Sequence, residues 1–188
     1  MLRHAPNLLS ALRLLAAPAA AWAILEDHDT LALAMFAFAG LSDLADGFVA
    51  RRWGFTSVFG AWLDPIADKL LMSTMFVVLS IERMIPWKYT ILVFSRDISI
   101  LMISGVLFMI AGLRDFRPSI FGKANTFAQV AAIFFVLLLL VEPLRWIWIA
   151  RTIFLQATFI FTIVSAVHYA ILVQHRLHAP ASPAAQAS

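Results

Sequence analysis

Four aspartates inside a very apolar chain constrain this sequence more than any other feature. They lie within residues 42–70, and they are Asp43, Asp46, Asp64 and Asp68. The first two are three residues apart and the last two are four apart, and on a helix both spacings place the paired side chains on one face. A carboxylate at bilayer depth costs on the order of 2.5–3.5 kcal/mol. Four of them therefore need a compensating cation or a polar cavity.

A hard divalent cation fits these carboxylates best. Oxygen ligands in surplus favour Mg²⁺ or Mn²⁺ over zinc, and the chain has no cysteine to supply a thiolate. The acids could instead form salt bridges with Arg51, Arg52 and Lys69. Three cations do not readily neutralise four clustered carboxylates, because the rigid guanidinium forks must also find room there. We therefore expect a metal site.

The composition predicts an all-α integral membrane bundle. Hydrophobic residues make up 62% of the 188 residues, against about 45–50% in soluble domains. A spanning helix takes about 20 residues, so this length fits about six transmembrane helices in one domain, residues 1–178. A short interfacial segment is expected at the N-terminus, and the Pro/Ala/Ser-rich residues 179–188 are expected to be a disordered tail.

The expected helices follow from apolar runs and their breaks. The first follows Pro6, although this segment could also be a secretory signal; Arg13 interrupts the apolar run that a signal requires. The others are expected at about residues 30–52, 58–83, 88–113, 123–141 and 146–174. Gly40 and Gly47 in the second helix are expected to permit close helix contacts.

Polar residues of the fourth and fifth helices are further candidates. Arg96 and Asp97 are adjacent, so on a helix we expect them to pair with residues of other helices and not with each other. Arg96 could form an interhelical salt bridge or bind substrate. The basic loop 114–123 could bind phosphate, although such loops are usually orientation signals.

Loop charges indicate the orientation of the bundle. Basic residues concentrate on the side of both termini and of the aspartates, and the positive-inside rule places that side in the cytoplasm. The net charge of +3 suits a polyanionic partner, and in so apolar a chain we expect lipid headgroups and no nucleic acid.

The aspartate stretch resembles the motif of the CDP-alcohol phosphatidyltransferases. In this sequence the motif reads Asp43-x2-Asp46-Gly47-x2-Ala50-Arg51-x8-Gly60-x3-Asp64-x3-Asp68. The resemblance implies an enzyme that uses CDP-diacylglycerol and two divalent ions, and a homodimer in a membrane such as the bacterial inner membrane. It also implies roles for the matching residues. Asp43, Asp46, Asp64 and Asp68 would bind metal, Asp68 would also be the general base, and Gly47, Ala50, Arg51 and Gly60 would bind the CDP-lipid.

Within that family, the sequence resembles the cardiolipin synthase branch most. The resemblance rests on Ser95-Arg96-Asp97 and on Gly122-Lys123-Ala124-Asn125-Thr126. It implies phosphatidylglycerol as the acceptor, with Arg96 and Lys123 binding it. Phosphatidylglycerophosphate synthases, which use glycerol 3-phosphate, usually have glutamate at position 97 and a second lysine at position 125. A cation channel or transporter remains a further alternative, although the acids cluster at one face.

Overall fold

The computed structural model describes residues 5–53, 58–111 and 120–178, with side-chain detail over residues 14–42, 67–99, 102 and 122–167. Within these ranges the protein is all-helical, with six α-helices and no strand. The helices are α1 (Ala5–Leu25), α2 (Asp29–Trp53), α3 (Val58–Ile81), α4 (Trp87–Ala111), α5 (Ile120–Val141) and α6 (Arg145–His178). The all-α prediction is therefore confirmed.

The observed helix boundaries lie within four residues of the predicted ones. Helix α1 begins at Ala5, so the segment expected at the membrane interface forms its first turns. Pro6 lies in the first turn, where its missing N–H is harmless. Helix α5 begins at Ile120, before the expected residue 123, and α6 continues to His178. The expected tail, residues 179–188, lies outside the described residues.

Two of the connections are tight turns that reverse the chain. After α1, Asp27 adopts a left-handed φ of 57°, and the N–H of His28 donates to the carbonyl of Ala23 at 2.7 Å. After α3, Arg83 has a φ of 58°, and the N–H of Met84 donates to the carbonyl of Leu79 at 2.8 Å. This is the Schellman arrangement, which satisfies the last carbonyls of a helix.

Helices α2 and α3, which carry the aspartates, share two neighbouring helices. Helix α1 contacts both of them, and so does α5, which also forms an antiparallel hairpin with α6. Helix α6 in turn packs against α4. The buried cluster combines alanines of α1, among them Ala17 and Ala20, with Met75 and Phe76 of α3. Small residues on one helix allow large ones on its neighbour to pack closely.

The packing bears on one of the smaller predictions. Helix α1 supplies buried residues to this cluster. A Cβ atom built on Gly40 would meet nothing within 4 Å. The prediction that Gly40 permits a close helix contact is therefore wrong, because open space surrounds it. Gly47 lies outside the residues with described side chains.

Two of the described helical segments are long and apolar enough to cross a membrane. They are Gly122–Val141 and Arg145–Val167. The six expected spans are thus not confirmed by this criterion, which covers only the described part of the chain. Large apolar side chains are exposed on several helices, including Trp22, Phe38 and Ile91. Such extensive apolar exposure is typical of a surface that faces lipid.

Candidate functional site

The four aspartates lie on two helices. Helix α2 is continuous through positions 43 and 46, and α3 is continuous through positions 64 and 68, so each pair has helical spacing as predicted. The side chains of Asp43, Asp46 and Asp64 lie outside those described. The same holds for the candidate CDP-lipid-binding residues, which are Gly47, Ala50, Arg51 and Gly60. Among the described side chains, no group of three His, Cys, Asp or Glu could hold a metal.

Asp68 is half-buried on α3, and the next residue connects this helix to α4. The Nζ atom of Lys69 lies 2.5 Å from Oδ2 of Asp97, which is 15% exposed whereas Lys69 is 48% exposed. The lysine next to Asp68 therefore shares its charge with a carboxylate of another helix. This contact connects α3 to α4 at the level of Asp68.

Arg96 and Asp97 form an ion pair, so the prediction that these neighbours do not pair is wrong. The Nη1 atom of Arg96 lies 2.7 Å from Oδ1 of Asp97. Adjacent helix positions diverge, but the long arginine side chain is flexible enough to fold towards its neighbour. The expectation of partners on other helices is confirmed, because Asp97 also binds Lys69 of α3 and Arg96 donates to Ser165 of α6 at 3.2 Å.

A row of buried polar side chains continues from Ser165 between α5 and α6. Asn125 is fully buried, and its Oδ1 atom accepts a hydrogen bond from Oγ1 of Thr162 at 3.0 Å. Gln129 lies one turn further along α5, and Thr158 one turn from Thr162 along α6, and both are buried. We call this group the polar tract; it comprises Arg96, Asn125, Gln129, Thr158, Thr162 and Ser165.

The sequence reasoning missed most of the polar tract, although a signal for it was present. Asn125 and Gln129 are four apart in an apolar helix, and Thr158 and Thr162 repeat that spacing in the next one. Polar residues at helical spacing in two neighbouring apolar helices indicate an interhelical polar contact.

Three nitrogen atoms of the polar tract are buried without a hydrogen-bond partner. They are Nε of Arg96, Nδ2 of Asn125 and Nε2 of Gln129. Each is an N–H donor, and leaving a buried donor unpaired costs about 1–3 kcal/mol. All three nitrogens left unpaired within the described side chains thus belong to one region, and that region offers donors to an oxygen-bearing group.

Lys123, the second candidate acceptor-binding residue, lies near the polar tract but on the surface. It is exposed in the first turns of α5, two residues before Asn125. Among the described contacts, no hydrogen bond or ion pair joins it to Arg96. The structure therefore connects Arg96 with Asn125 through α6 and leaves Lys123 at the outer edge of the group.

An open cavity of about 440 Å³ lies at the opposite end of α5. Its lining includes Asp27, His28 and Asp29 of the α1–α2 turn region and Leu140 and Val141 of α5. Helix α5 separates this cavity from the polar tract, since Asn125 is near the start of the helix and Val141 is its last residue. The cavity is therefore not part of the candidate site.

Comparison with known proteins identifies the family. The sequence model of the CDP-alcohol phosphatidyltransferases matches residues 3–171. A cardiolipin synthase (CMP-forming) of Rattus norvegicus is 44% identical over 97 residues, which cover 51% of this chain and 32% of that protein. A probable cardiolipin synthase (CMP-forming) of Drosophila melanogaster is 34% identical over 145 residues, covering 68% of this chain and 45% of that protein.

A relative with a different name matches at the same identity as the Drosophila protein. A probable phosphatidylglycerophosphate synthase of Mycobacterium tuberculosis is 34% identical over 140 residues, which cover 74% of this chain and 64% of that protein. The chain thus spans about a third to two thirds of the length of these curated relatives. Identity alone does not separate the two names. The match over residues 3–171 shows that the chain belongs to the CDP-alcohol phosphatidyltransferase family.

Proposed function

We propose that this protein is a cardiolipin synthase that transfers a phosphatidyl group from CDP-diacylglycerol to phosphatidylglycerol and releases CMP. Family membership supports the donor and the type of reaction. The acceptor is supported by one structural observation. Asn125, at the position where the alternative enzymes usually carry a second lysine, is a neutral side chain fully buried against Thr162. The site thus has one cation fewer to hold the dianion of glycerol 3-phosphate.

The aspartates fit a divalent-metal site by the chemistry of their donor atoms. Each helix offers two carboxylates at helical spacing, and such oxygen ligands suit Mg²⁺ or Mn²⁺. Two ions held by Asp43, Asp46, Asp64 and Asp68 would supply charge stabilisation for the diphosphate and for the departing phosphate. Arg51 would bind the same diphosphate through its planar fork. Gly47, Ala50 and Gly60 would let the nucleotide approach the backbone closely.

Asp68 is the proposed general base. The hydroxyl oxygen of the acceptor attacks the phosphorus that carries diacylglycerol, and Asp68 accepts the hydroxyl proton. A new P–O bond to the acceptor forms, the P–O bond to CMP breaks, and CMP leaves with the electron pair. Arg96 and Lys123 would hold the phosphodiester of the acceptor. The contact between Lys69 and Asp97 keeps the cation adjacent to Asp68 directed towards α4.

We further propose that the six helices all span the membrane and that the aspartates face the cytoplasm, as in a bacterial inner membrane. The apolar exposed surface and the excess of basic residues on one side support this placement. Residues 1–178 would form the membrane domain and residues 179–188 a disordered tail. The family resemblance also favours a homodimer.

Phosphatidylglycerophosphate synthase is the second candidate function. The mycobacterial relative of that name, 34% identical over 74% of this chain, favours it. The two functions differ only in the acceptor. The match to an enzyme family over residues 3–171 supports either one over a cation channel or transporter.

One experiment separates the two functions. Purified protein in detergent micelles would receive CDP-diacylglycerol and Mg²⁺ or Mn²⁺, together with phosphatidylglycerol and glycerol 3-phosphate in equal amounts. Mass spectrometry of the lipid products should show cardiolipin, and CMP should be released only when divalent metal is present. Formation of phosphatidylglycerophosphate with phosphatidylglycerol left unconsumed would establish the second function instead.

A further inference from the structure

We propose that the polar tract is a binding site for the monoanionic phosphodiester of a lipid, with the amides of Asn125 and Gln129 as donors to its oxygen atoms. This inference rests on the proposed function for its biological ligand, since an acceptor lipid carries such a group. It assigns a role to two residues in the interior of the bundle. The ligand chemistry itself follows from the contacts and charges of the tract.

The tract forms one connected group across three helices. Arg96 of α4 donates to Ser165 of α6 at 3.2 Å, and Ser165 lies one turn from Thr162. Thr162 then donates to Asn125 of α5 at 3.0 Å. Since α5 and α6 form an antiparallel hairpin, this contact places Gln129 at the level of Thr158, one turn deeper. The unpaired nitrogens therefore lie along one path into the bundle.

The unpaired atoms indicate what the tract binds. Arg96 is 10% exposed, and Asn125 and Gln129 are 0% and 2% exposed, yet each has a nitrogen donor without a partner. Buried polar groups are normally hydrogen-bonded, and an exception calls for an explanation such as a bound group, an ordered water or a catalytic role. Donors alone call for a ligand rich in acceptor oxygens. Phosphate and ester oxygens meet this requirement.

The charge of the site favours a diester over a monoester. Lys69 and Arg96 both contact Asp97, so this ion-paired group of two cations and one carboxylate carries one net positive charge. A phosphodiester carries one negative charge, whereas a phosphomonoester carries about 1.5 to 2 near neutral pH. A lipid phosphodiester would neutralise the net charge of these three residues, and unbalanced charge inside a membrane is costly. The neutral amides add hydrogen bonds without adding charge.

The central test compares two glutamines. Gln129→Met removes the buried amide and keeps the length of the side chain, and Gln156→Met makes the same change at an exposed position of α6. Thermal unfolding would be followed in detergent micelles with and without added phosphatidylglycerol, with glycerol 3-phosphate and inorganic phosphate as separate arms. We expect phosphatidylglycerol alone to stabilise the wild type. Its apparent affinity should fall about tenfold in Gln129→Met, as for the loss of one hydrogen bond to a charged group.

The unfolding temperature without ligand distinguishes a binding role of the Gln129 amide from a purely structural role. An apolar substitution that removes an unpaired buried donor should leave stability unchanged or raise it. If Gln129→Met is as stable as the wild type and binds phosphatidylglycerol equally well, the amide only fills space and the proposal is wrong. Stabilisation by glycerol 3-phosphate or inorganic phosphate, without an effect of phosphatidylglycerol, would also overturn it.

A second pair of variants serves if Gln129→Met does not fold. Thr162→Val keeps the side-chain volume and removes the donor that orients Asn125, while Thr152→Val removes a hydroxyl whose described hydrogen bond lies within its own helix. We expect weaker lipid binding in the first variant and wild-type binding in the second. Equal binding in both would contradict the proposal.

The binding assay and the product assay fail independently. If phosphatidylglycerol binds through Gln129 but no cardiolipin forms, the proposed function is wrong and the binding site stands. If cardiolipin forms and Gln129→Met has the wild-type Michaelis constant for the acceptor, the proposed function stands and the inference about the tract is wrong.

Discussion

Two regions of this bundle differ in whether their buried polar atoms have hydrogen-bond partners. At the end where the short connections α1–α2, α3–α4 and α5–α6 lie, which we call the turn end, Ser80 and Thr90 share a hydrogen bond of 2.6 Å. Thr90 also donates to the carbonyl of Phe76 at 3.2 Å, and Arg151 donates to the carbonyl of Met84. In the polar tract, by contrast, three buried nitrogen donors have no partner.

This difference suggests that the two regions have different roles, one in stability and the other in binding. Paired groups at the turn end hold helices together and leave nothing for a ligand. Unpaired buried donors lower stability, and under our proposal those of the tract are retained because they bind the lipid phosphodiester. The comparison predicts that substitutions at the turn end change stability alone. Substitutions near the tract and the aspartates should change binding or turnover.

The largest expected effect is on turnover, at Asp68. Asp68→Asn keeps the size of the side chain but cannot accept a proton, and general-base catalysis contributes typically about 10²–10⁴-fold. We expect CMP release to fall by at least about 100-fold. Glu142→Gln, the same change at an exposed residue of the turn end, should retain wild-type activity. More than a tenth of the wild-type rate in Asp68→Asn would contradict the assignment of the base.

The next largest effect is on stability, at Asp97, and it tests whether a substitution near the polar tract also destabilises the protein. Asp97 contacts both Lys69 and Arg96, so Asp97→Asn leaves two cations without their carboxylate. Removing one partner of a fully buried ion pair costs about 3–5 kcal/mol, and the exposure of Lys69 reduces this to about 2 kcal/mol. Unfolding in detergent by denaturant would measure the loss. Parallel measurements on Lys69→Met and the double variant would give the coupling energy between the two residues.

An unchanged stability of Asp97→Asn would show that the ion-paired group does not hold α3 against α4. The group would then belong with the unpaired donors, as part of a binding surface. A loss of about 2 kcal/mol in unfolding free energy would show that the ion-paired group next to the tract stabilises the packing of α3 against α4. Either result refines the division between the two ends.

The sequence predicted the helices well and the contacts between them poorly. Helix boundaries follow from apolar runs and turn residues, which are local, so all six helices were found. The pairing of Arg96 with Asp97 was predicted wrongly, because a spacing rule describes where side chains start and not how far a long one reaches. Lys69 and Ser165 could not be identified as partners, since such contacts depend on helix rotation.

The candidate site shows the same division. The aspartate motif was recognisable because its residues are close in sequence and have a repeated helical spacing. The polar tract joins positions far apart in sequence, such as Asn125 and Thr162, and only the packing of α5 against α6 brings them together. The open space around Gly40 likewise depends on packing.

A smaller effect is expected from the paired hydroxyls of the turn end. Thr90→Val keeps the side-chain shape but leaves the hydroxyl of Ser80 buried without this partner. Hydrogen bonds between membrane helices contribute about 0.6 kcal/mol on average and up to about 1.7 kcal/mol. We expect a loss of about 1 kcal/mol in unfolding free energy. The exposed Ser99, whose described hydroxyl hydrogen bond lies within α4, should tolerate alanine.

Kinetic measurements on Thr90→Val show whether this residue contributes to stability alone. The Michaelis constants of Thr90→Val for both substrates should equal those of the wild type, because the turn end is remote from the aspartates along α3. A change in the acceptor constant alone would contradict the comparison. It would show that the paired hydroxyls influence acceptor binding.

The smallest expected effect concerns the two left-handed residues of the turn end. Arg83 and Asp27 both have positive φ angles, 58° and 57°, at the position after a helix where glycine is preferred. Aspartate tolerates this conformation better than arginine, because its short polar side chain bonds locally. We therefore expect Arg83→Gly to stabilise the protein by about 0.5 kcal/mol and Asp27→Gly to have almost no effect.

Denaturant unfolding of both variants and of Ser99→Gly would measure this difference. Glycine inside α4 should destabilise by about 0.5 kcal/mol relative to serine, which confirms that the assay detects backbone effects of this size. Both turn variants should retain wild-type CMP release, because the strain lies in the connections and not at the aspartates. Equal stabilisation by both would show that φ alone sets the cost. A loss of stability in Arg83→Gly would show that the arginine side chain makes a stabilising contact at this turn.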